Sequence, residues 1–481
     1  MGHRRRAAGG THPGHVQDLL RPDRAAGTDR GVPRPLRIAR LVTAALGRAA
    51  ATFYDVERLG PEIPGGPVLV VANHPNVFLD PLIIFHIAGR PTRPLAKASH
   101  FENPWYRPFL LGLGGLPVWR RQDDPNQMHR NEETFRAAVE ALHSGDAIQI
   151  YPEGRSHSEP AMAPLRTGAA RIALRVESDA AWELGLMIVP IGLTYMRKTF
   201  FRGRAVAAVG RPFGVTPWRP AWQADPTEAA RQLTEAIADR LEAVTLNLAE
   251  TEDFDLIETA ERLYAREKGW ASWRERDGLA ERLPRFQAFA RGLAWLRAHD
   301  PERHRRLARA VRRYRKRLEQ LGAGEGDVPP RFGAAGVARF VGREAAWLGV
   351  GLPLAALGIL LWYVPYRVPR LVVALRRPEH AAVATWKLAA GLAAFLAWYA
   401  AAIAALTLFL GGSWALVGAI ALPALGLLAL AWAERWKRVR EDVRVFRRVV
   451  THPRHRDRLA ADRAALVAEF EAVQRELEMT A

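Results

Sequence analysis

The sequence contains no cysteine. That excludes disulfides, thiolate-bound metal and a cysteine-centred covalent intermediate, and it leaves the compartment unread. A Gly-x-Ser-x-Gly elbow is also missing, so no serine nucleophile is presented at a strand-to-helix turn. No helix-turn-helix, RNP or zinc-finger pattern accompanies the charge, which argues against nucleic acid as a partner. The opening MGHRRRAAGG is basic but has no apolar core behind it, unlike a secretory signal. Arg6 stands where the myristoylation pattern wants Ser or Thr. There are no internal repeats.

Length and positive charge are what the chain has in abundance. Its 481 residues exceed one comfortable core, so two or more parts are expected. Lys and Arg number 69 against 50 Asp and Glu, a net charge of +19 that suits anionic lipid surfaces and phosphorylated substrates.

The chain is organised around Pro67–Pro81, PVLVVANHPNVFLDP. Val68–Ala72 is uncharged and rich in valine, the pattern of a strand buried on both faces. It gives way to Asn73, His74 and Asn76, and then to Asp80 and Pro81 ahead of the apolar Leu82-Ile83-Ile84-Phe85. Asp80-Pro81 reads as an N-cap with proline at the first helical position. Strand, polar loop and helix put His74 at the carboxyl edge of a sheet, within reach of Asp80. A carboxylate on one imidazole nitrogen fixes the tautomer and leaves the other nitrogen able to take a proton. This is a candidate general-base pair without a serine.

Around that stretch the chain divides by composition. Residues 1–33 are Gly-, Arg- and Pro-rich and read as a disordered basic tail. Within 34–54, Ile38, Leu41, Val42, Ala45, Leu46, Ala49 and Phe53 recur at helical spacing, with Arg37, Arg40 and Arg48 off the stripe. Such a helix lies in a membrane interface or packs on its own domain, and the sequence leaves both open. Residues 55–250 alternate strand and helix, which predicts an α/β domain. Strands are predicted at Val68–Ala72, Leu95–Lys97, Pro117–Arg120, Ala147–Tyr151, Met187–Thr194 and Ala205–Val209. Helices are predicted at Pro81–Ile87, Asn131–His143 and Gly168–Glu177, with another behind Asp225-Pro226. Arg166, in APLRTGAA, opens the third of these and is a candidate phosphate ligand at a helix N-terminus.

Residues 251–330 form a charged helical segment ending in the linker GAGEGDVPP. Leu307, Val311, Tyr314, Leu318 and Leu321 make one apolar stripe there amid eight Arg and Lys residues from Arg305 to Arg317. The region 331–433 is membranous. Ala345–Val364 carries no charge, and Leu388–Ala433 is uncharged with a Gly411-Gly412-Ser413 break, which predicts a helical hairpin. Basic residues flank both units. The positive-inside rule then asks the first unit to enter and return on one side, as a re-entrant segment at 345–364 broken by Pro353 and Pro365. Residues 434–481 read as a cytoplasmic helical tail whose Leu459, Leu466, Phe470, Val473 and Leu477 pack on something.

Four polar blocks fall at or beside the predicted strands: NHPNVFLDP (Asn73–Pro81), GGLPVWRRQD (Gly114–Asp123), YPEGRSHSEP (Tyr151–Pro160) and IVPIGLTY (Ile188–Tyr195). In order and relative position they resemble the glycerolipid acyltransferase family, the lysophosphatidate and glycerol-3-phosphate acyltransferases. Two departures stand out. Five residues rather than the family's usual four separate His74 from Asp80, and the third block runs Glu-Gly-Arg-Ser-His. Both departures are similar to the glycerol-3-phosphate/dihydroxyacetone-phosphate acyltransferase subgroup, where Asn76, Phe78, Gln122-Asp123 and Ser156-His157 also fit.

The resemblance implies a glycerolipid acyltransferase-like α/β sheet flanked by helices, followed by a helical segment and a C-terminal membrane region. It implies His74 as base with Asp80 orienting it, and acceptor contacts from Asn76, Arg120, Glu153 and Gly154, with Arg120 holding a phosphate. The implied reaction is direct acyl transfer from acyl-CoA or acyl carrier protein to a hydroxyl of glycerol 3-phosphate or dihydroxyacetone phosphate. No metal or further cofactor is implied. Lysophosphatidate as acceptor is the alternative. A phosphate-free acceptor or a non-catalytic membrane scaffold on the same domain are readings from other classes. The expected partners are membrane lipids, the acyl donor and the phosphorylated acceptor, with the domain on the cytoplasmic side.

Overall fold

The structure, a computed structural model of the chain, describes residues 37–104, 106–119, 125–268, 278–321, 334–451 and 453–480. The tail expected at 1–33, the second-block residues from Arg120 to Asp123 and the linker at 322–330 lie outside the described residues.

One sheet of eight strands carries the first half: β1 (Tyr54–Leu59), β2 (Val68–Ala72), β3 (Thr92–Lys97), β4 (Leu116–Val118), β5 (Ala147–Ile150), β6 (Met187–Met196), β7 (Gly203–Val209) and β8 (Phe213–Gly214). They lie in the order β1-β7-β6-β2-β5-β3-β4, with β8 paired to β6. All neighbours are parallel except β6 with β7 and with β8. The Val68–Ala72 run sits near the centre and is buried at every position. Leu69 and Val71 enter one core, while Val68, Val70 and Ala72 enter the other. That is why the run shows no polar alternation.

The first core is covered by α5 (Asn131–His143), α6 (Gly168–Asp179) and α8 (Pro226–Glu242). Asp225 caps α8 as its sequence predicts, accepting the Thr227 amide at 2.8 Å. The second core is covered by α1 (Arg37–Phe53) and α2 (Leu79–Ile87). Short helices α3 (Ala98–Glu102) and α4 (Arg107–Gly112) join β3 to β4, and α7 (Arg219–Ala224) precedes α8. The α1 stripe divides between the two readings left open for it. Phe53 is buried in the domain core with Leu46 packed beside it, whereas Leu41 and Val42 stand 71% and 52% exposed.

Helices α9 (Glu252–Glu267) and α10 (Leu279–His299) dock on the β1–β7 edge of the sheet, where Met196, Val206 and Ala208 pack against Ile257, Leu279, Leu283 and Phe286. Glu57 on β1 accepts the Leu279 and Ala280 amides at 2.7 and 2.8 Å, so a strand side chain caps α10. α11 (Pro301–Leu321) buries Leu307, Val311, Tyr314 and Leu318 against α15 (Pro453–Thr480), which contributes Leu459, Leu466 and Val473. Arg303 bonds Glu469 and Glu476 across this contact. The C-terminal stripe thus packs on helices that precede the membrane region.

Between α11 and α15 run α12 (Ala334–Arg376), α13 (Val383–Leu410) and α14 (Gly412–Thr451). Within them lie three stretches long and apolar enough to cross a membrane. Gly411, at φ +93°, makes the tight turn between α13 and α14, and a side chain there would be strained. α12 stays helical through Pro353, Pro365 and Pro369, residues at which a helix can kink. Its two ends, however, meet the same side of the hairpin. Glu344 pairs with Arg435 at 2.6 Å, and the Arg376 guanidinium lies 5.7 Å over Trp386. Its middle touches both legs, with Trp362 donating to Leu422 O at 3.0 Å and Trp398 to Leu361 O at 2.8 Å. Both legs then reach the α/β domain. Ala384 is buried in the second core, Lys387 donates to Thr199 O, and Arg202 pairs with Glu434 at 3.0 Å.

Candidate active site

β2 and β5 run parallel and end together while β6 continues past them to Met196, and open α/β sheets place their sites at such carboxyl ends. Asn73, the first residue beyond β2, locks the start of the loop. Its amide donates to Leu193 O at 3.0 Å and accepts from Leu193 N at 2.7 Å, extending the ladder to β6. His74 follows, and its Nδ1 lies 2.8 Å from Asp80 Oδ2. The ring stacks on Tyr151 with centroids 3.9 Å apart. Nε2 has no partner among the described residues, and the side chain is 16% exposed.

Asp80 is fully buried and is the hub of the site. Oδ2 also accepts the Asn76 amide at 2.7 Å, and Oδ1 accepts the Tyr195 hydroxyl at 2.5 Å. The N-cap expectation is corrected here. α2 begins at Leu79, and Asp80 inside its first turn directs its carboxylate back to the loop and to His74. The loop supplies donors that a cap would otherwise draw from the helix. Burial, with Asp80's charge adding to it, pushes the Tyr195 and Tyr151 phenols well above the usual tyrosine range. Tyr195 therefore stays protonated and donates.

Glu153, expected at acceptor hydroxyls, is buried and engaged within the chain. Oε1 accepts the His74 amide at 3.0 Å, while Oε2 accepts the Ala163 amide at 2.7 Å and faces His157 Nε2. Ser156 Oγ donates to His74 O at 2.9 Å and accepts from Val77 N at 3.1 Å. The third block is thereby sewn to the first on both sides of His74. Asn76, expected at the substrate, is wholly buried and donates to Tyr54 OH at 2.8 Å. It braces the loop from behind. Gly154 takes φ +72°, and the Arg166 side chain lies across it, so that an added Cβ would fall 2.8 Å from Arg166 Nε. Arg166 itself is exposed and lies just ahead of α6. Arg120 lies outside the described residues. Its neighbour Trp119 is buried and pinned to the Asn131 amide by bonds of 2.9 and 2.7 Å.

Sequence reasoning gave no role to Tyr54, Tyr151 or Tyr195, and noted His157 only as fitting the third block. Tyr151 and Tyr195 stand inside quoted blocks, and a phenol at the end of a buried strand was the available signal. An imidazole held by a buried, multiply bonded carboxylate and open on its other nitrogen can accept a proton from a hydroxyl brought to its edge.

Residues 52–194 match the family model described as Acyltransferase, and membrane-length helices follow that stretch. Glycerol-3-phosphate O-acyltransferase 2 of Saccharomyces cerevisiae is 34% identical over 136 residues, covering 28% of this chain and 18% of the yeast protein. An uncharacterized acyltransferase of Schizosaccharomyces pombe is 34% identical over 44% of this chain and 43% of its own length. The chain thus spans less than half the length of these relatives. The crystal structure of the 1-acyl-sn-glycerophosphate (LPA) acyltransferase PlsC from Thermotoga maritima aligns with TM-score 0.31 and 17% identity, covering 42% of this chain and 78% of that one.

Proposed function

We propose that the chain transfers a fatty acyl group from a thioester, acyl-CoA or acyl carrier protein, to a hydroxyl of glycerol 3-phosphate or dihydroxyacetone phosphate. The observation that carries this is the His74–Asp80 pair, with Nδ1 held at 2.8 Å and Nε2 open at the carboxyl edge of the sheet. The acceptor oxygen attacks the thioester carbonyl while Nε2 takes its proton. The C–S bond then breaks, and the leaving thiolate recovers that proton from the imidazolium. Asp80 supports the imidazolium charge, and Tyr195 and the Asn76 amide hold Asp80 in register. Glu153, Asn76 and Ser156 position the loop. Arg166, and Arg120 on the second block, supply guanidinium forks matched to phosphate oxygens.

The test is the full-length protein with labelled acyl-CoA or acyl carrier protein, offered glycerol 3-phosphate, dihydroxyacetone phosphate and lysophosphatidate in parallel. Acylation of either of the first two, lost in His74→Ala, supports the reading. Turnover with lysophosphatidate alone would move the acceptor assignment one acylation later, and acylation only of phosphate-free acceptors would refute it.

The same reading puts the domain on the cytoplasmic face. α11 and α15 share one helical body, which supports an even number of crossings between them. Both ends of α12 lie with the domain-side ends of the hairpin, so α13 and α14 cross and α12 does not. Every basic cluster then stands on one side, as the positive-inside rule asks. Because the chain has no native cysteine, single substitutions report cleanly. Ser413→Cys should react with an impermeant maleimide from outside, and Arg377→Cys only after permeabilisation. Labelling of both from outside would refute the topology.

A further inference from the structure

A group of basic side chains lies beside the His74 loop, where the acyltransferase domain meets the turn before α13. Lys198 follows β6, and its Nζ donates to Ser158 Oγ at 2.7 Å. His380, in the turn that precedes α13, brings Nδ1 to the same Oγ at 3.1 Å. Lys387, near the start of α13, holds Thr199 O and lies 5.6 Å over the Phe200 ring, fixing the loop that carries Lys198. Among the described residues no carboxylate pairs with Lys198. The nearby Arg202 is already engaged by Glu434, and Glu379, beside His380 in sequence, forms no ion pair among the described residues.

This group is bound to the site from two directions. Ser158 follows His157, whose amide donates to His74 O at 3.1 Å. On the other side the Lys198 carbonyl accepts from Tyr54 OH, which is bonded to Asn76 within the His74 loop. A half-buried ammonium without a counter-charge is costly, and burial brings Lys198 down to about 8 despite the partly offsetting charge of Asp80. An arriving dianion relieves that cost, and Lys198, the Ser158 hydroxyl and His380 supply convergent donors for its oxygens.

We propose that Lys198, Ser158 and His380 form a phosphate subsite that holds one face of the acceptor's phosphomonoester across the seam between the acyltransferase domain and the membrane hairpin, leaving its other oxygens to the guanidinium forks and its hydroxyl at His74. This rests on the acyl-transfer reading above. It makes the hairpin part of the substrate site, since His380 comes from the membrane side of the seam and Lys387 fixes the loop.

The test is steady-state kinetics of the full-length protein in nanodiscs, comparing wild type with Lys198→Gln, Lys198→Arg and His380→Gln. Glutamine keeps a donor for Ser158 and removes the charge. Lys198→Gln should raise the KM for glycerol 3-phosphate about ten- to a hundredfold, the loss of one charge-assisted contact, with kcat and the donor KM nearly unchanged. Lys198→Arg should recover part of the loss, and His380→Gln should cost a few-fold. Inorganic phosphate should compete with the acceptor in wild type and much less in Lys198→Gln. An unchanged acceptor KM would overturn the proposal. So would a rise in the donor KM, which would assign the cations to the donor's phosphates, or a dependence on anionic lipid content instead of acceptor phosphate. Should Lys198→Gln not fold, Lys198→Arg and His380→Gln with normal KM values and undiminished phosphate competition would overturn it equally. Failure of the acyl-transfer reading is distinguishable, because wild type itself would then acylate no phosphorylated acceptor.

Discussion

Replacing Asp80 by Asn tests the centre of the mechanism with little disturbance of shape. The carboxylate accepts three bonds: His74 Nδ1 and the Asn76 amide on Oδ2, and Tyr195 OH on Oδ1. An Asn oxygen can serve the first two, and its NH₂ can donate to the Tyr195 oxygen once that hydroxyl turns, so the fold should persist. What disappears is the negative charge beside an imidazole that becomes positive only during the reaction. Asp80 is fully buried, so solvent screening does little. At an effective dielectric of about 20 and a charge separation of about 4 Å, the attraction is about 4 kcal/mol. Converted to rate, that is about a thousandfold. Because the imidazolium exists only beyond the ground state, the loss should fall on kcat and leave both KM values nearly unchanged. Single-turnover acyl transfer by the variant, alongside its thermal unfolding, measures this directly. A folded Asp80→Asn protein within tenfold of wild-type kcat would refute the base assignment.

Three further outcomes follow from the geometry. Tyr195→Phe leaves Asp80 Oδ1 buried without a donor and should lower kcat by about tenfold or more, from a contact worth about 1.5–3 kcal/mol; wild-type turnover would remove Tyr195 from the site. Arg166→Ala should raise the acceptor KM with no loss of melting temperature, whereas unchanged KM with lower stability would make Arg166 a purely structural cover for Gly154. Glu57 is held below the usual glutamate range: burial opposes this, but the Ala280 and Leu279 amides and Arg204 outweigh it. A depressed carboxylate contributes stability above its unfolded pKa and loses it as pH falls through the folded one. Glu57→Gln should therefore be about 1 kcal/mol less stable at neutral pH, a gap that closes below about pH 4, and a pH-independent gap in denaturant midpoints would refute the cap.

The centre of the domain was legible because its signals are local. Val68–Ala72 needs no long-range knowledge to be read as a doubly buried strand, and it forms over those residues. Asn131–His143 likewise shows its apolar face within its own turns. β1 was not legible. Tyr54–Leu59 continues directly from α1 and carries Asp55, Glu57 and Arg58, so neither a turn nor an apolar run announces an edge strand. His74 and Asp80 are six positions apart and could be paired on paper, but Tyr195 reaches Asp80 from 115 positions away. Glu153 and Asn76 were recognised as important, yet block matching does not reveal that their polar atoms face inward. Lys198 escaped notice for the same reason, since it donates to Ser158, 40 positions back, and His380 reaches that same hydroxyl from 222 positions further on.

The return of α15 onto α11 sets a timetable for making the protein. α11 emerges from the ribosome with Leu307, Val311, Tyr314 and Leu318 ready to be buried, but the helix that covers them is translated only after the membrane region. At about 5–20 residues per second, that apolar face waits roughly seven to thirty seconds for its partner. If the hairpin inserts correctly, α15 is delivered to the same side as α11, and Arg303 finds Glu469 and Glu476. A chain whose hairpin goes in the wrong way delivers α15 to the opposite compartment, and its helical body cannot close. The open face is then a substrate for chaperones and proteases. α11 is therefore covered only after every intervening helix has been made, and the order of translation delays completion of this helical body.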